Sequence, residues 1–474
     1  MDIPDPDVIF HDGYYYLITT TMHFFPGGEI LRSKDLKTWE HFSYVFDRLE
    51  STPAQRLEGD AYIYGKGMWA PTMRYHEGTF YVAFSSNDMH KTYLFRAKDL
   101  KGPWERSEVA GFYHDLSLLF DDGKAYFVYG NTEIHLTELN EDLTGPKEGG
   151  IDRVIVTDTS KAPLGLEGSH IYKINGKYYL FMIHSLPDRW RRVEAMYTAD
   201  SLTGEFTGGN IYDNDLGIRD AGIAQGGIVS GSLGDHMIMF QDSGAVGRLP
   251  VIVPFTWRNG MPVFEDSDTV EECEFTGLCG SDDFKDGYKE FWQFNHEPDT
   301  ALVSFDDGYH ITTDKVCKNL FHAKNTLTQK TKGPVAEATV TVDASALNDG
   351  DIAGLSAFQG DYAFVGIKKE SGKYYATMMS STSKGGIWEL NEEKGLVEGD
   401  EEISGNELTV KVVCDFTNDT ATCFIKTDAG FKQIGSAHQL VFRLDHFTGC
   451  RFGLSCFSTK TIGGTAVFRS FINS

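Results

Sequence analysis

The sequence predicts an all-β protein, a five-bladed β-propeller followed by a β-sandwich. Composition is the first observation behind this: 50 of 474 residues are glycine, and there are 33 Phe, 22 Tyr and 7 Trp. The second is local pattern. Short aromatic and β-branched runs such as Tyr14–Ile18 and Phe80–Phe84 end in Gly, Asp or Asn turns, and few segments keep an i, i+3, i+4 apolar period beyond two turns. The third is repetition. Five segments share one grammar: a polar entry, a short apolar strand, a glycine turn and a second strand.

In chain order the repeats enter at Asp5, Trp69, Asp115, Glu167 and Gln225 and turn at Gly13, Gly78, Gly123, Gly176 and Gly234. The turn glycines are 65, 45, 53 and 58 residues apart, the length of a four-stranded blade. Ser33–Glu40 is echoed by Ala97–Glu105. Five blades therefore fill residues 1–268. An acidic, irregular stretch runs from Glu265 to Gly280, and from Ser281 the text changes. Glu337–Asp343, Glu407–Val413 and Ala421–Lys426 alternate apolar and polar residues, as half-buried strands do, so 281–474 is the sandwich.

Charge narrows the function. Lys and Arg number 43 against 69 Asp and Glu, a net charge of −26, which argues against nucleic-acid and anionic-membrane partners. No apolar run approaches the ~18–20 residues of a membrane span. Met1–Asp7 has neither a basic nor an apolar leader, so the expected location is the cytoplasm. The seven cysteines all lie from Cys273 onward, are odd in number and include no CxxC pair, so reduced thiols are expected. Homo-oligomerisation is left open.

In a propeller the innermost strand of each blade lines the central channel. Counting back eight residues from the turn glycine gives Asp5 and Asp115, and nine gives Glu167. Any one of these alone is as readily a turn residue. Three at one register, beside Trp69 and Gln225 from the other two blades, are a costly convergence of desolvated carboxylates unless they perform chemistry. Two carboxyls flanking a glycosidic bond are the apparatus of sugar hydrolysis, one as acid and one as base or nucleophile. A third raises the acid's pKa by like-charge repulsion. Trp69 and Phe24–Phe25 add faces suited to the C–H side of a sugar ring. His114 and His170 form no close ligand pair, and neighbouring strand residues face opposite sides, so no metal ligand is expected. No GxSxG elbow and no phosphate-cradling glycine loop occurs.

At these residues the chain resembles glycoside hydrolase family 43, the inverting β-xylosidases and α-L-arabinofuranosidases. Pro4–Asp7 followed by Asp12–Tyr16 is similar to the family's opening, Trp69–Pro71 to its sugar-subsite motif, His114–Gly123 and Leu166–Lys173 to its two further acidic segments, and Gly247–Arg248 to its substrate-contacting arginine stretch. The resemblance implies Asp5 as general base, Asp115 as pKa modulator and Glu167 as general acid. It further implies a terminal sugar held by Met22, Phe24, Trp69, Gln225 and Arg248, with no cofactor required. Many members carry a channel histidine, sometimes bound to calcium; Ala224 stands there instead, which argues against a His-ligated calcium. Residues 281–474 resemble the lectin-like sandwich of such β-xylosidases, with His446–Gly449 the loop expected to cap the pocket and Phe447 its aromatic; core packing is an equal alternative for Phe447. The implied activity is exo-acting release of xylose from β-1,4-xylo-oligosaccharides, with arabinofuranosidase activity beside or in place of it. A non-catalytic carbohydrate-binding propeller and an endo-arabinanase are the other readings.

Overall fold

The computed structural model describes residues 1–264 and 272–474. The expected propeller end at residue 268 and the run Glu265–Asp268 lie outside the described residues.

The architecture is all-β, with five four-stranded antiparallel blades arranged as expected. Their inner strands are Asp7–His11, Thr72–His76, Ser117–Asp121, Glu167–Ile174 and Ile223–Gly231 for blades I to V. Each inner strand returns through a two-residue hairpin, pairing His11 with Tyr14, His76 with Thr79, Asp121 with Lys124, Ile174 with Lys177 and Gly231 with Gly234. Such a tight turn must match the right-handed twist of its strands and so needs positive φ, which is why glycine takes the second turn position in blades I to IV, with φ between 70° and 82°; blade V turns through Ser232–Leu233, and its Gly234, with φ of 95°, opens the return strand.

Five apolar clusters fill the five blade-to-blade interfaces. The Phe46–Phe84–Phe95 cluster joins blades I and II, and the Tyr113–Phe127 cluster joins II and III. Leu136 and Leu180 lie between III and IV, and Phe181 and Met239 between IV and V. The ring closes where Ile3, Leu17 and Trp39 pack on Val229 and Ile238, and where the Ile3 N–H donates to the Arg248 carbonyl at 2.9 Å. Among the described residues no strand of blade V pairs with blade I, and closure draws mainly on side-chain burial, ~1.5–3 kcal/mol for each large apolar group.

The sandwich is formed by two eight-stranded sheets around one large core. The alternating segments are strands Val335–Ala346, Glu407–Asp415 and Thr420–Thr427. Asp351–Phe358 lacks alternation because it is buried on both faces: Ala353, Leu355 and Ala357 face the sandwich core, while Ile352 and Phe358 join a second cluster with Tyr64 of the propeller. All seven cysteines are free thiols, five buried and Cys273 and Cys279 half-buried.

The two halves are stitched together. Phe24–Phe25 leaves blade I to pair with Gln293–Asn295 at the edge of a sandwich sheet, and Glu274–Thr276 pairs in parallel with the outer strand of blade I, Thr38–Phe46. Phe24 is therefore a correction to the expected sugar subsite. It is 1% exposed, carries the Arg451 guanidinium 4.0 Å above its ring, and serves the joint between the halves.

Candidate active site

The inner strands do not run straight into the channel. Asp5, Asp115 and Gln225 have φ of 49°, 47° and 56°, and Gly168, next to Glu167, has φ of 65°. These left-handed residues end the regular strand and turn their neighbourhood toward the axis, strain of ~1–3 kcal/mol for a non-glycine residue that clusters at functional sites. A bulge between Glu167 and His170 adds one residue to blade IV, and the offset of nine rather than eight follows from it. Blade V bulges in the same way between Ala224 and Gly227.

The result is a cavity of about 470 Å³ at the end of the channel. Asp5, Asp115 and Glu167 line it together with Met22, Trp69, Gln225, Arg248 and Phe447, so of the expected residues only Phe24 lies elsewhere. Arg248 is the hub of the floor. Its Nη1 donates to Asp5 Oδ1 at 2.8 Å, its Nη2 to the Phe447 carbonyl at 3.3 Å, and its guanidinium lies 4.6 Å from the Phe447 ring. Asp2 fastens both sides of this contact, accepting from the Arg248 N–H at 2.7 Å and from the Gly449 N–H at 2.8 Å. The sandwich loop 446–449 thus forms a wall of the cavity. Trp69 stands edge-on to both Phe447 and His114, with ring centroids 6.2 and 5.6 Å away. Gln225 is held through its backbone, which donates to Glu194 Oε2 at 2.8 Å.

His114 corrects an expectation. As a strand neighbour of Asp115 it should face away, but the positive φ at Asp115 breaks the alternation and brings both into the cavity. Its Nε2 lies 3.2 Å from Glu167 Oε2 and 3.6 Å from Asp115 Oδ2. Burial disfavours the imidazolium, but Asp115, the hydrogen bond to Glu167 and the charge of Asp5 outweigh it and raise the His114 pKa to about 9. Burial, joined by the charges of Glu167 and Asp5, pushes Asp115 up to about 7 against the pull of His114 and Arg248. Asn131 also donates to Glu167 Oε2. Asn131, Trp190, Arg192 and Trp388 line the cavity without having been singled out in the sequence, because Asn131, Trp190 and Trp388 come from loops outside the repeat grammar and Arg192 opens the third strand of blade IV, which carries no repeat signal.

Below the cavity the axis is closed by charge. Asp7 Oδ2 accepts from Arg74 Nη1 and the Met73 N–H at 2.7 Å and from Thr72 at 3.0 Å, while Arg74 Nη2 donates to Ser117 at 2.9 Å. Burial opposes the Asp7 charge, yet Arg74 and then His170 hold its carboxyl well below the usual carboxylate range. Among the described residues, the metal-ligating side chains with convergent donor atoms are His114, Asp115 and Glu167. Ala224 is fully buried and has no side-chain ligand atom, so that position does not fit a His-ligated calcium.

Comparison with known proteins agrees with this geometry. Residues 1–262 match glycosyl hydrolases family 43, and residues 281–472 match the β-xylosidase C-terminal concanavalin A-like domain. A β-xylosidase of Formosa agariphila is 25% identical over 98% of this chain and 87% of its own length. A non-reducing end α-L-arabinofuranosidase of Bacteroides ovatus is 32% identical over 37% of this chain and 33% of its own. A bifunctional GH43-CE protein of Bacteroides eggerthii superposes with a TM-score of 0.92 at 35% identity; it covers all of this chain, which spans 62% of that longer protein. With the family match extending over more than half of the residues and two matched domains in the order the fold displays, the chain belongs to glycosyl hydrolases family 43 and is a glycoside hydrolase.

Proposed function

We propose that the protein removes the terminal xylosyl unit from the non-reducing end of β-1,4-xylo-oligosaccharides with inversion of configuration, and accepts α-L-arabinofuranosides as a second substrate. The observation that carries this reading is the convergence of Asp5, Asp115 and Glu167 with Arg248 in one cavity walled by Phe447. Names of relatives on both sides of the xyloside–arabinofuranoside divide support the pair of substrates.

The terminal sugar sits over the floor, its C–H face against Trp69 and Phe447. Arg248 fixes one oxygen of Asp5, so the other takes the proton of the attacking water. Glu167 protonates the leaving glycosidic oxygen. His114 and Asn131 both bind Glu167 Oε2, which fixes the acid's rotamer and places a charged imidazolium where it can return the proton after each turnover. Asp115 lies beside His114 and holds sugar hydroxyls.

Initial rates on 4-nitrophenyl β-D-xylopyranoside and α-L-arabinofuranoside test the reading, with NMR detection of the anomer formed first. Glu167→Gln should cut turnover of xylobiose by ~10²–10⁴, the usual contribution of general acid–base catalysis, and spare the activated aryl glycoside far more. Asp5→Asn should abolish both. Silence of the wild type on both aryl glycosides would refute the substrate assignment, and first formation of the retained anomer would refute inversion.

A further inference from the structure

A second cavity, of about 550 Å³, lies beside the catalytic one along the seam between propeller and sandwich. The two share Trp190, Arg192, Ile387 and Leu444, so the second continues the first. Its volume is within the ~300–1,000 Å³ of sites that enclose drug-sized ligands. We propose that this seam is a leaving-group groove, which binds at least two further neutral sugar units on the far side of the bond being cleaved. The inference rests on the proposed glycosidase reading and extends it to the part of the substrate outside the cavity.

Three features argue for a sugar chain. The first is position. With the terminal sugar on the carboxyl floor, the rest of the substrate must leave through the mouth, and the groove opens there beside blade IV, which also carries the acid Glu167. The second is the rim. Trp190, Ile387 and Trp388 are 46%, 55% and 58% exposed, although elsewhere such groups are mostly buried. Trp190 of the propeller and Ile387 of the sandwich line both cavities, and Trp388 stands at the catalytic one, so an apolar face meets the chain from each side. An aromatic face attracts polarised C–H groups through its quadrupole, and an exposed apolar cluster at a cavity mouth marks a binding site.

The third feature is the charge of the walls. Arg191 is bound by Asp213 at 2.7 Å and Asp220 at 2.8 Å, Arg219 by Asp419 at 2.6 Å, and Arg192 by Asp242 at 3.1 Å. Each guanidinium is already neutralised, so the groove does not select an anionic substituent. It offers fixed, planar donors and acceptors of the kind that neutral hydroxyls satisfy. The loop bearing Ile387 and Trp388 is anchored: Arg443 donates to the Gly386 carbonyl at 2.5 Å and pairs with buried Asp445 at 3.0 Å, beside the Phe447 loop. The rim is therefore preorganised against the catalytic wall.

Chain-length kinetics test this. The substrates are 4-nitrophenyl β-D-xyloside, xylobiose to xylopentaose, and the matching arabino-oligosaccharides. In the wild type kcat/KM should rise at least fivefold from disaccharide to tetrasaccharide in the series the groove accepts. Arg219→Ala, which removes a half-exposed guanidinium lining the groove, and Ala221→Trp, which fills the groove, should each lower the ratio of tetrasaccharide to aryl-glycoside kcat/KM at least fivefold. Tetrasaccharide should also shift the tryptophan fluorescence of Glu167→Gln protein beyond any change that xylose produces at Trp69, and Trp190→Phe should remove the additional shift. A wild type that hydrolyses the aryl glycoside yet shows a flat length profile overturns the groove and leaves the glycosidase reading standing. A rising profile that neither variant alters places the extra binding elsewhere and also overturns it. Absence of all turnover overturns both.

Discussion

His114 is the residue whose role the fold changes most. Its charge lowers the pKa of Asp115, while burial, Glu167 and Asp5 raise it, and the outcome is about 7. Asp115 therefore loses its proton near neutrality, in contact with His114 3.6 Å away. Because a protonated Asp115 can donate to a sugar hydroxyl, kcat/KM on xylobiose should fall as pH rises through about 7. Removing the imidazolium strengthens the hold on the proton, so His114→Gln should move this alkaline limb upward by about one pH unit, roughly the 1.4 kcal/mol that a nearby charge supplies. A pH–rate profile of wild type and variant checks it; a limb that stays in place would remove His114 from the proton network.

At the scale of elements, blades and catalytic loops use glycine for different physical reasons. Gly13, at the hairpin of blade I, has φ of 79° and open space around a Cβ, so it serves conformation alone. Gly67 has φ of 84°, and a Cβ there would stand 2.3 Å from the Met22 carbonyl oxygen, against the cavity wall. Gly13→Ala should therefore cost ~1–2 kcal/mol of stability, the penalty of a left-handed alanine, with KM unchanged. Gly67→Ala should destabilise more and raise KM several-fold by displacing Met22. Urea melts and steady-state kinetics on the same two proteins separate the effects, and equal KM values would show that Met22 does not bound the sugar site.

At the scale of the molecule, the seam between the halves is both the wall of the active site and a titratable joint. His23, His296 and His446 are fully buried there around Tyr64, with His23 4.8 Å from His446 and 5.2 Å from His296 between ring centroids. Facing them are Arg451, whose guanidinium covers Phe24, and Lys315. Burial first, then one another's charge and these cations, lower the pKa values of His23 and His296 well below 6.5; burial and Arg451 lower that of His446 to about 3. A histidine kept neutral in the fold binds protons more weakly there than in the unfolded chain. The stability it allows is complete above pH 6.5 and is lost progressively as pH falls toward 3. Tm should accordingly decline below pH 6.5, with activity and the two halves lost together, and His446→Gln should flatten that decline. A Tm independent of pH between 7 and 5 would contradict this.

Much of this was legible in one dimension, for a physical reason. A propeller repeats one hairpin, and a two-residue turn requires positive φ, so glycine marked the hairpin of each blade at or just after its turn, and an offset of eight or nine residues from glycine found Asp5, Asp115 and Glu167. Alternation revealed the sandwich because its outer strands are buried on one face only. Signals of this kind are local: they report backbone geometry and the side a residue faces within its own strand. Tertiary structure alone decided what depends on distant segments meeting. Phe24 has the composition of a sugar platform but is held in the joint by Arg451 and Gln293–Asn295. His114 turns inward only because Asp115 adopts φ of 47°. The mouth is assembled from Trp190 and Trp388, two loops nearly 200 residues apart that follow no period, so no spacing in the sequence could bring them together.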